Sequence, residues 1–371
     1  MEKILIFGGT FDPPHQGHRH LLKHGLMQAE FDRVLLMPSY IPPHKEHRPT
    51  LSFGVRKGIL LDWFGDLGPV EVSDLEQRRE GRSYTVDTVR ALEKEFPDAE
   101  LYFLIGSDML LSFERWYCAE ELLQKLILVV GSREKGDLAA LKECRERLLR
   151  QYSCKGILLC EMDAVVCASS SLRGAGDGLG ERILAHLSET LDDYRLRHTV
   201  LVAEYARELA LRHGLEPEQA YLAGLLHDCT KHFSAEQQLE YAEKHGLSFT
   251  EEDLACPQVL HQYTAVPYAR EVFGVEDAAI LAAIGCHTTG KEDFSPLEML
   301  IYFADSCEPS RTYPGVEELR RAGEKDLPRA TLMLMDQMLK FYGEKKQWIH
   351  SRTVKARNYL KKELEKNGKS D

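Results

Sequence analysis

Short apolar runs punctuate the first half of the chain. Lys3 to Phe7 ends at Gly8-Gly9, Val34 to Met37 at Pro38, and Leu101 to Ile105 at Gly106-Ser107-Asp108. Leu126 to Val130 ends at Gly131-Ser132, Val165 to Ala168 ends in three serines, and Val70 to Val72 is a weaker run. Polar-faced helical segments lie between several of them. Runs of this length, apolar at nearly every position, suit strands covered on both faces, so the pattern predicts a mostly parallel sheet flanked by helices. The Gly, Ser, Asp and His residues gather just after the runs, at the edge where open α/β sheets hold ligands.

The texture changes near Gly174-Ala175-Gly176-Asp177-Gly178, which reads as a joint between a domain over 1–177 and a second over 178–371. Beyond it the spacing predicts helices only, an all-α bundle. Leu201, Tyr205 and Leu209 fall four apart on one stripe of a helix over Arg197 to Arg212. Pro217 suits a first helical turn, and Ser295-Pro296-Leu297-Glu298 matches a capping box that opens a helix running to Asp305. The end, from Lys361 to Asp371, is polar and is expected to fray.

Composition narrows the function. A chain of 371 residues, 43% hydrophobic and 29% charged, is an ordinary globular sequence with room for two or three cores. The formal charge of -12 argues against a nonspecific nucleic-acid binder but leaves room for a local pocket that takes a small phosphorylated substrate. No stretch approaches the roughly 20 apolar residues of a membrane span, and Met1-Glu2-Lys3 lacks the pattern of a secretory signal. The 9 cysteines are odd in number, scattered and free of any C-x-x-C pair. A reduced, cytoplasmic chain is expected, with no nucleic-acid or membrane partner. A homo-oligomer is left open.

Gly8-Gly9-Thr10-Phe11-Asp12-Pro13-Pro14-His15-Gln16-Gly17-His18 follows the first run directly. Glycines let the backbone come close to a ligand, and a helix starting near Gly17 offers free N–H groups to an anion. His15 and His18, three apart, can face one phosphate, as phosphoryl or nucleotidyl transfer requires. The pair also suits a metal or two surface histidines. Ser169-Ser170-Ser171-Leu172-Arg173 favours phosphate, since it adds hydroxyls, terminal N–H groups and a guanidinium fork. Pro42-Pro43-His44-Lys45 adds a further cation. The string is neither G-x-G-x-x-G nor G-x-x-x-x-G-K-[ST].

These strings resemble nucleotidylyltransferases with an H-x-G-H signature, and Met1 to Arg173 resembles bacterial nicotinate mononucleotide adenylyltransferases more closely. The closer likeness rests on Ser39-Tyr40-Ile41-Pro42-Pro43-His44-Lys45, on Arg82-Ser83-Tyr84-Thr85-Val86-Asp87-Thr88, and on Gly106-Ser107-Asp108-Met109-Leu110 followed by Phe113-Glu114-Arg115-Trp116. The resemblance implies a Rossmann-like domain that transfers adenylyl from ATP, carried with Mg²⁺, to nicotinate mononucleotide, giving the deamido dinucleotide and pyrophosphate. It implies that Gly8, Gly9, Thr10, His15, His18, Ser170, Ser171 and Arg173 hold the ATP phosphates. Lys45 and Arg173 would join His15 and His18 in catalysis, while His44, Lys45, Thr85, Asp108 and Trp116 would hold the nicotinate nucleotide. Trp116 by residue type alone suits a core aromatic equally. Ser171 replaces the family's usual threonine, and glycines follow Arg173 where the family has a closing helix.

The helical half carries His198, His227-Asp228, His261, His287 and Asp305, each in or beside an apolar stretch where an unpaired charge is costly. Imidazole nitrogens with carboxylate oxygens suit Fe, Mn, Zn or Co. Taken singly, any of these histidines also reads as an ordinary buried or exposed residue. From Leu179 to Lys346 the chain resembles HD-domain phosphohydrolases, most nearly the bacterial group that hydrolyses diadenosine tetraphosphate symmetrically. The likeness rests on Arg197-His198, Tyr221-Leu222-Ala223-Gly224-Leu225-Leu226-His227-Asp228-Cys229-Thr230-Lys231, Leu260-His261, Cys286-His287-Thr288-Thr289-Gly290, Tyr302-Phe303-Ala304-Asp305 and Pro314-Gly315-Val316-Glu317-Glu318-Leu319-Arg320. It implies a two-metal site, with iron as the metal, held by the six residues, Asp228 between the ions, and two ADP as products. Lys231 and Arg311 are candidate polyphosphate contacts, and Lys231 also suits a solvated helix end. His261-Gln262 departs from the group's His-Gly. The alternatives are another nucleotide phosphohydrolase, a cyclic-dinucleotide phosphodiesterase, or a module that senses nucleotides without turnover.

Overall fold

The apolar runs of the first half assemble into one parallel sheet in the computed structural model, which describes residues 1–42, 49–132, 137–162 and 178–367. The strands are β1 (Lys3–Gly9), β2 (Arg33–Pro38), β3 (Val70–Val72), β4 (Glu100–Gly106), β5 (Ile127–Gly131) and β6 (Gly156–Cys160). Their order is β3-β2-β1-β4-β5-β6 and every pairing is parallel. Ile4, Leu5, Leu36, Leu128 and Val129 are fully buried, as strands covered on both faces require. The order reverses between β1 and β4, so a crevice opens past their carboxyl ends, where the Gly8-Gly9 loop and Gly106-Ser107-Asp108 stand.

The structure adds a strand that the sequence reading did not name. The sixth strand is Gly156–Cys160, while Val165 to Ala168 lies outside the described residues. A glycine start and a half-buried pattern hide such a strand. The helices that bear on the site are α1 (Gln16–Leu26), α2 (Phe53–Phe64), α3 (Leu75–Arg79), α4 (Thr85–Glu95) and α5 (Ser107–Leu111).

The chain divides into two compact units, Met1–Ala175 and Gly176–Asp371. The second is helical among the described residues, and the helix Asp193–Arg212 runs through its core. Leu201, Tyr205 and Leu209 are buried as the stripe predicts, but so are Val200, Val202, Ala203 and Ala206. Small side chains let neighbours press on several faces, chiefly the helices Pro217–Leu226 and Pro296–Cys307. Both neighbours start as the sequence indicates, with Pro217 and Pro296 in their first turns. Ser295 Oγ accepts the Glu298 N–H at 3.3 Å, and Glu298 Oε2 accepts the Ser295 N–H at 2.6 Å. The expected fraying does not occur over Lys361 to Asn367, which continues the helix Ser351–Asn367. Lys366 pairs with Glu363 at 2.6 Å, support that one-turn spacing gives an exposed polar helix. Among the described residues no helix is long and apolar enough to cross a membrane.

Candidate functional site

The sheet-edge site begins where β1 runs out. His15 caps α1, its backbone N–H donating to His18 Nδ1 at 3.2 Å. The two imidazoles lie 3.6 Å apart between centroids, tilted by 32°. Phe11 meets His18 edge-on at 5.0 Å. Both rings therefore share one place at the start of α1, where backbone N–H groups favour an anion. Gly8 and Gly9 keep the strand end bare. A Cβ on Gly9 would come within 3.0 Å of the Phe11 ring.

Neighbouring segments are tied to this loop by groups that sequence reasoning passed over. The Asp12 carboxylate accepts the N–H groups of Thr50 and Leu51, both at 2.8 Å. Arg56 of α2, only 2% exposed, donates to the carbonyls of Thr10 (2.8 Å), Ser39 (3.0 Å) and Leu51 (3.2 Å). Burial lowers its pKa, and Asp12 and Glu76 oppose that shift. One guanidinium thus fixes the ends of β1 and β2 relative to each other. Its only signal in the sequence is the cationic pair Arg56-Lys57 set between Val55 and the apolar Ile59-Leu60.

The remaining predicted residues are placed as follows. Thr85 opens α4, a helix joined to β2 through Ser83, whose hydroxyl accepts the Tyr40 N–H at 2.9 Å. Asp108 is exposed on α5, just past β4. Trp116 is half-buried, stacked on Phe113 at 4.9 Å and 25°, and edge-on to Phe103 at 6.2 Å. Phe103 in turn lies against Gly8, so aromatic packing links Trp116 to the loop. His44, Lys45, Ser170, Ser171 and Arg173 lie outside the described residues.

The second site gathers residues from far apart in the chain. His198 comes from the helix Asp193–Arg212, His227 and Asp228 from the end of Pro217–Leu226, His261 from Leu260–Phe273, His287 from the turn after Ala278–Ile284, and Asp305 from Pro296–Cys307. Gly224 lets two of these helices meet, since a Cβ there would stand 2.5 Å from Ala203 Cα. His198 Nε2 is 3.0 Å from Asp305 Oδ1, and His261 Nε2 is 3.0 Å from Asp228 Oδ1. His261 Nε2 and His287 Nε2 approach to 2.9 Å, and His287 Nε2 is 3.5 Å from Asp228 Oδ1. Ligand atoms of His198, His227 and Asp305, and of His227, Asp228 and His287, fall within 4.8 Å of one another.

The donor set fits a metal centre. His227 Nδ1 donates to the Gly224 carbonyl at 2.6 Å and His287 Nδ1 to that of Ile284 at 2.8 Å, so each presents an Nε2 lone pair inward. His227 Nε2 is buried without a hydrogen-bond partner, a cost that a bound cation removes. Lys231 Nζ reaches Asp228 Oδ1 at 3.4 Å and His261 Nε2 at 3.1 Å, and Arg311 Nη2 reaches Asp305 Oδ1 at 3.2 Å. Both predicted phosphate-contact residues therefore flank the cluster.

Electrostatics follow from burial. Desolvation pushes His227 and His261 down to about 4, keeping their rings neutral and able to ligate. At His198 burial also disfavours the charge, but Asp305 and Glu308 outweigh it and raise the pKa to about 9. Burial opposes ionisation of Asp228 and Asp305, yet the surrounding histidines hold both well below the usual carboxylate range. Glu308, Arg320 and Gln262 were given no role by sequence reasoning. Gln262 Oε1 accepts the N–H groups of Thr288 and Thr289, at 3.1 and 3.2 Å, and so shapes the turn that carries His287.

A glycine-rich loop at a sheet's switch point and a buried imidazole–carboxylate cluster in a helical unit are the features of a chain with two nucleotide-enzyme domains, and comparisons with known proteins bear this out. Residues 6–173 match the cytidylyltransferase-like family and residues 195–310 the HD domain. The probable nicotinate-nucleotide adenylyltransferase/Ap4A hydrolase of Mycoplasma pneumoniae is 28% identical over 345 residues, 88% of this chain and 96% of its own. The nicotinate-nucleotide adenylyltransferase of Bacillus subtilis is 40% identical over 136 residues, 37% of this chain and 71% of its own. The symmetrical bis(5'-nucleosyl)-tetraphosphatase of Halalkalibacterium halodurans is 34% identical over 170 residues, 46% of this chain and 90% of its own. The chain belongs to the nicotinate-nucleotide adenylyltransferase family through its first unit and to the symmetrical bis(5'-nucleosyl)-tetraphosphatase family through its second.

Proposed function

We propose that one chain carries two activities, adenylyl transfer in a domain over residues 1–177 and dinucleoside polyphosphate hydrolysis in a domain over 178–371. In the first, a phosphate oxygen of nicotinate mononucleotide bonds to the α-phosphorus of ATP as the bond to pyrophosphate breaks. No side-chain nucleophile is needed. His15, His18 and the N–H groups of α1 take up charge on the ATP phosphates, with Lys45, Ser170, Ser171 and Arg173 completing the cradle and Mg²⁺ accompanying ATP. Trp116, Thr85, Asp108 and His44 orient the nicotinate end.

In the second domain His198, His227, Asp228, His261, His287 and Asp305 hold two metal ions, which we propose to be iron. Bound there, the ions supply Lewis acidity at phosphate and lower the pKa of water. Lys231 and Arg311 bind the polyphosphate oxygens and steady the leaving ADP. One water is consumed per diadenosine tetraphosphate and two ADP result. The observation that carries this reading is the gathering of His198, Asp228, His287 and Asp305 about the unpartnered His227 Nε2, with His261 beside Asp228.

The decisive experiment gives purified protein ATP with nicotinate mononucleotide, and separately diadenosine tetraphosphate, and identifies the products. Deamido dinucleotide with pyrophosphate, and ADP alone, are expected. ATP with AMP from the tetraphosphate would overturn the symmetric reading.

A further inference from the structure

Pro314 to Arg320 resembles a family string, yet nothing in the proposed chemistry uses it. Its arginine folds back onto the loop that follows the ligand helix Pro296–Cys307. Arg320 Nε donates to the Cys307 carbonyl at 2.7 Å, and Arg320 Nη2 donates to the carbonyls of Glu308 at 2.6 Å and Arg311 at 2.8 Å. Three carbonyls that no helix satisfies are thereby gathered on one guanidinium, and the loop from Cys307 to Arg311 is held in one shape.

That shape sends the Glu308 side chain inward. Glu308 is fully buried, which is costly for a carboxylate unless its oxygens are bonded. Ser310 supplies two donors, its N–H to Oε2 at 2.6 Å and its hydroxyl to Oε1 at 2.5 Å. Arg311 Nε lies 3.3 Å from Oε1. The remaining contact is His198 Nδ1 at 3.1 Å, across 110 residues of sequence. An imidazole whose Nδ1–H is taken by a carboxylate leaves Nε2 as the nitrogen that can ligate a metal, and here Nε2 stands 3.0 Å from the fellow candidate ligand Asp305 Oδ1.

We propose that Glu308, held by Arg320 and Ser310, is the positioning residue that fixes the ring plane and tautomer of His198 for metal binding. The inference rests on the metal-centre reading above and deepens it. It joins the first ligand in the chain to the last, because the loop that bears Glu308 also follows Asp305. The same loop aims Arg311 at Asp305, so metal retention and the phosphate contact share one support.

The test measures metal affinity by chelator competition, alongside hydrolysis and the thermal midpoint of the metal-free protein, in the full chain. Glu308→Ala is expected to weaken metal binding about 10–100-fold, the usual cost of losing a ligand's hydrogen-bond partner. Glu308→Gln keeps an acceptor for Nδ1–H and is expected to recover most of that loss. Should Glu308→Ala fail to fold, Arg320→Lys is read instead, with a smaller loss in the same direction expected. Folded Glu308→Ala protein that holds metal as tightly as wild type would overturn the proposal. So would equal metal loss in the Gln variant and a lowered metal-free midpoint, since these mark a merely structural role. Asp228→Ala separates the two readings. If it keeps its metal the centre itself is misassigned, and if it alone loses metal only the role of Glu308 falls.

Discussion

The two candidate sites are built in opposite ways. At the sheet edge the candidate groups His15, His18, Thr85 and Asp108 are half-exposed or exposed and stand near a helix start. In the bundle His227 is fully buried and His198, Asp228, His261 and His287 are nearly so. Exposed groups can borrow water and tolerate loose support. Buried ones each need a partner, and the partners need partners, which is why a network from Gln262 to Glu308 surrounds the second site. The lesson is that depth of burial sets how many residues a site enlists beyond those that touch substrate.

Four changes would break or sharpen that contrast. Asp228→Ala has the largest expected effect: metal and hydrolysis are lost together while adenylyl transfer continues, checked by metal analysis and both product assays. His18→Ala is expected to slow adenylyl transfer about 10²–10³-fold, the cost of one lost transition-state donor, and to leave hydrolysis unchanged. Equal losses in both assays would show that the sites are not separate.

Arg56→Ala should destabilise the first unit by about 3 kcal/mol, because three carbonyls lose a buried cationic donor. Chemical denaturation followed by the fluorescence of Trp63 and Trp116 reads this directly.

The smallest effect concerns pH. Burial alone would raise Asp253, but bonds from Thr250, Tyr263 and His350 bring it down to about 2. Its folded value lies below its unfolded one, so its stabilisation is present above about pH 4 and is lost as pH falls towards 2. Asp253→Asn should therefore be less stable than wild type at pH 7, with the gap closing through that window in urea midpoints. A constant gap would remove the carboxylate from the account.

Much of this was legible in the sequence, for identifiable reasons. Parallel strands read clearly because both faces are apolar, and the ligand histidines stood out because they interrupt apolar helices. β6 was hidden by its glycine and its edge position. Glu308 was hidden because it sits in a polar loop and Arg320 because it lies on a short polar helix, places where a charged residue normally faces water. Their meaning comes from His198, more than a hundred residues away, and from carbonyls that no side-chain pattern reveals. Arg56 was missed likewise, since its partners are three backbone oxygens.

Gly224 has a consequence of its own. It sets the spacing of two core helices, and its carbonyl also accepts the hydrogen bond from His227 Nδ1–H. A single added methyl would press on Ala203 and so disturb the carbonyl that orients the His227 ring. A screen for stability alone would read this position as scaffold, although it also decides where His227 presents its Nε2.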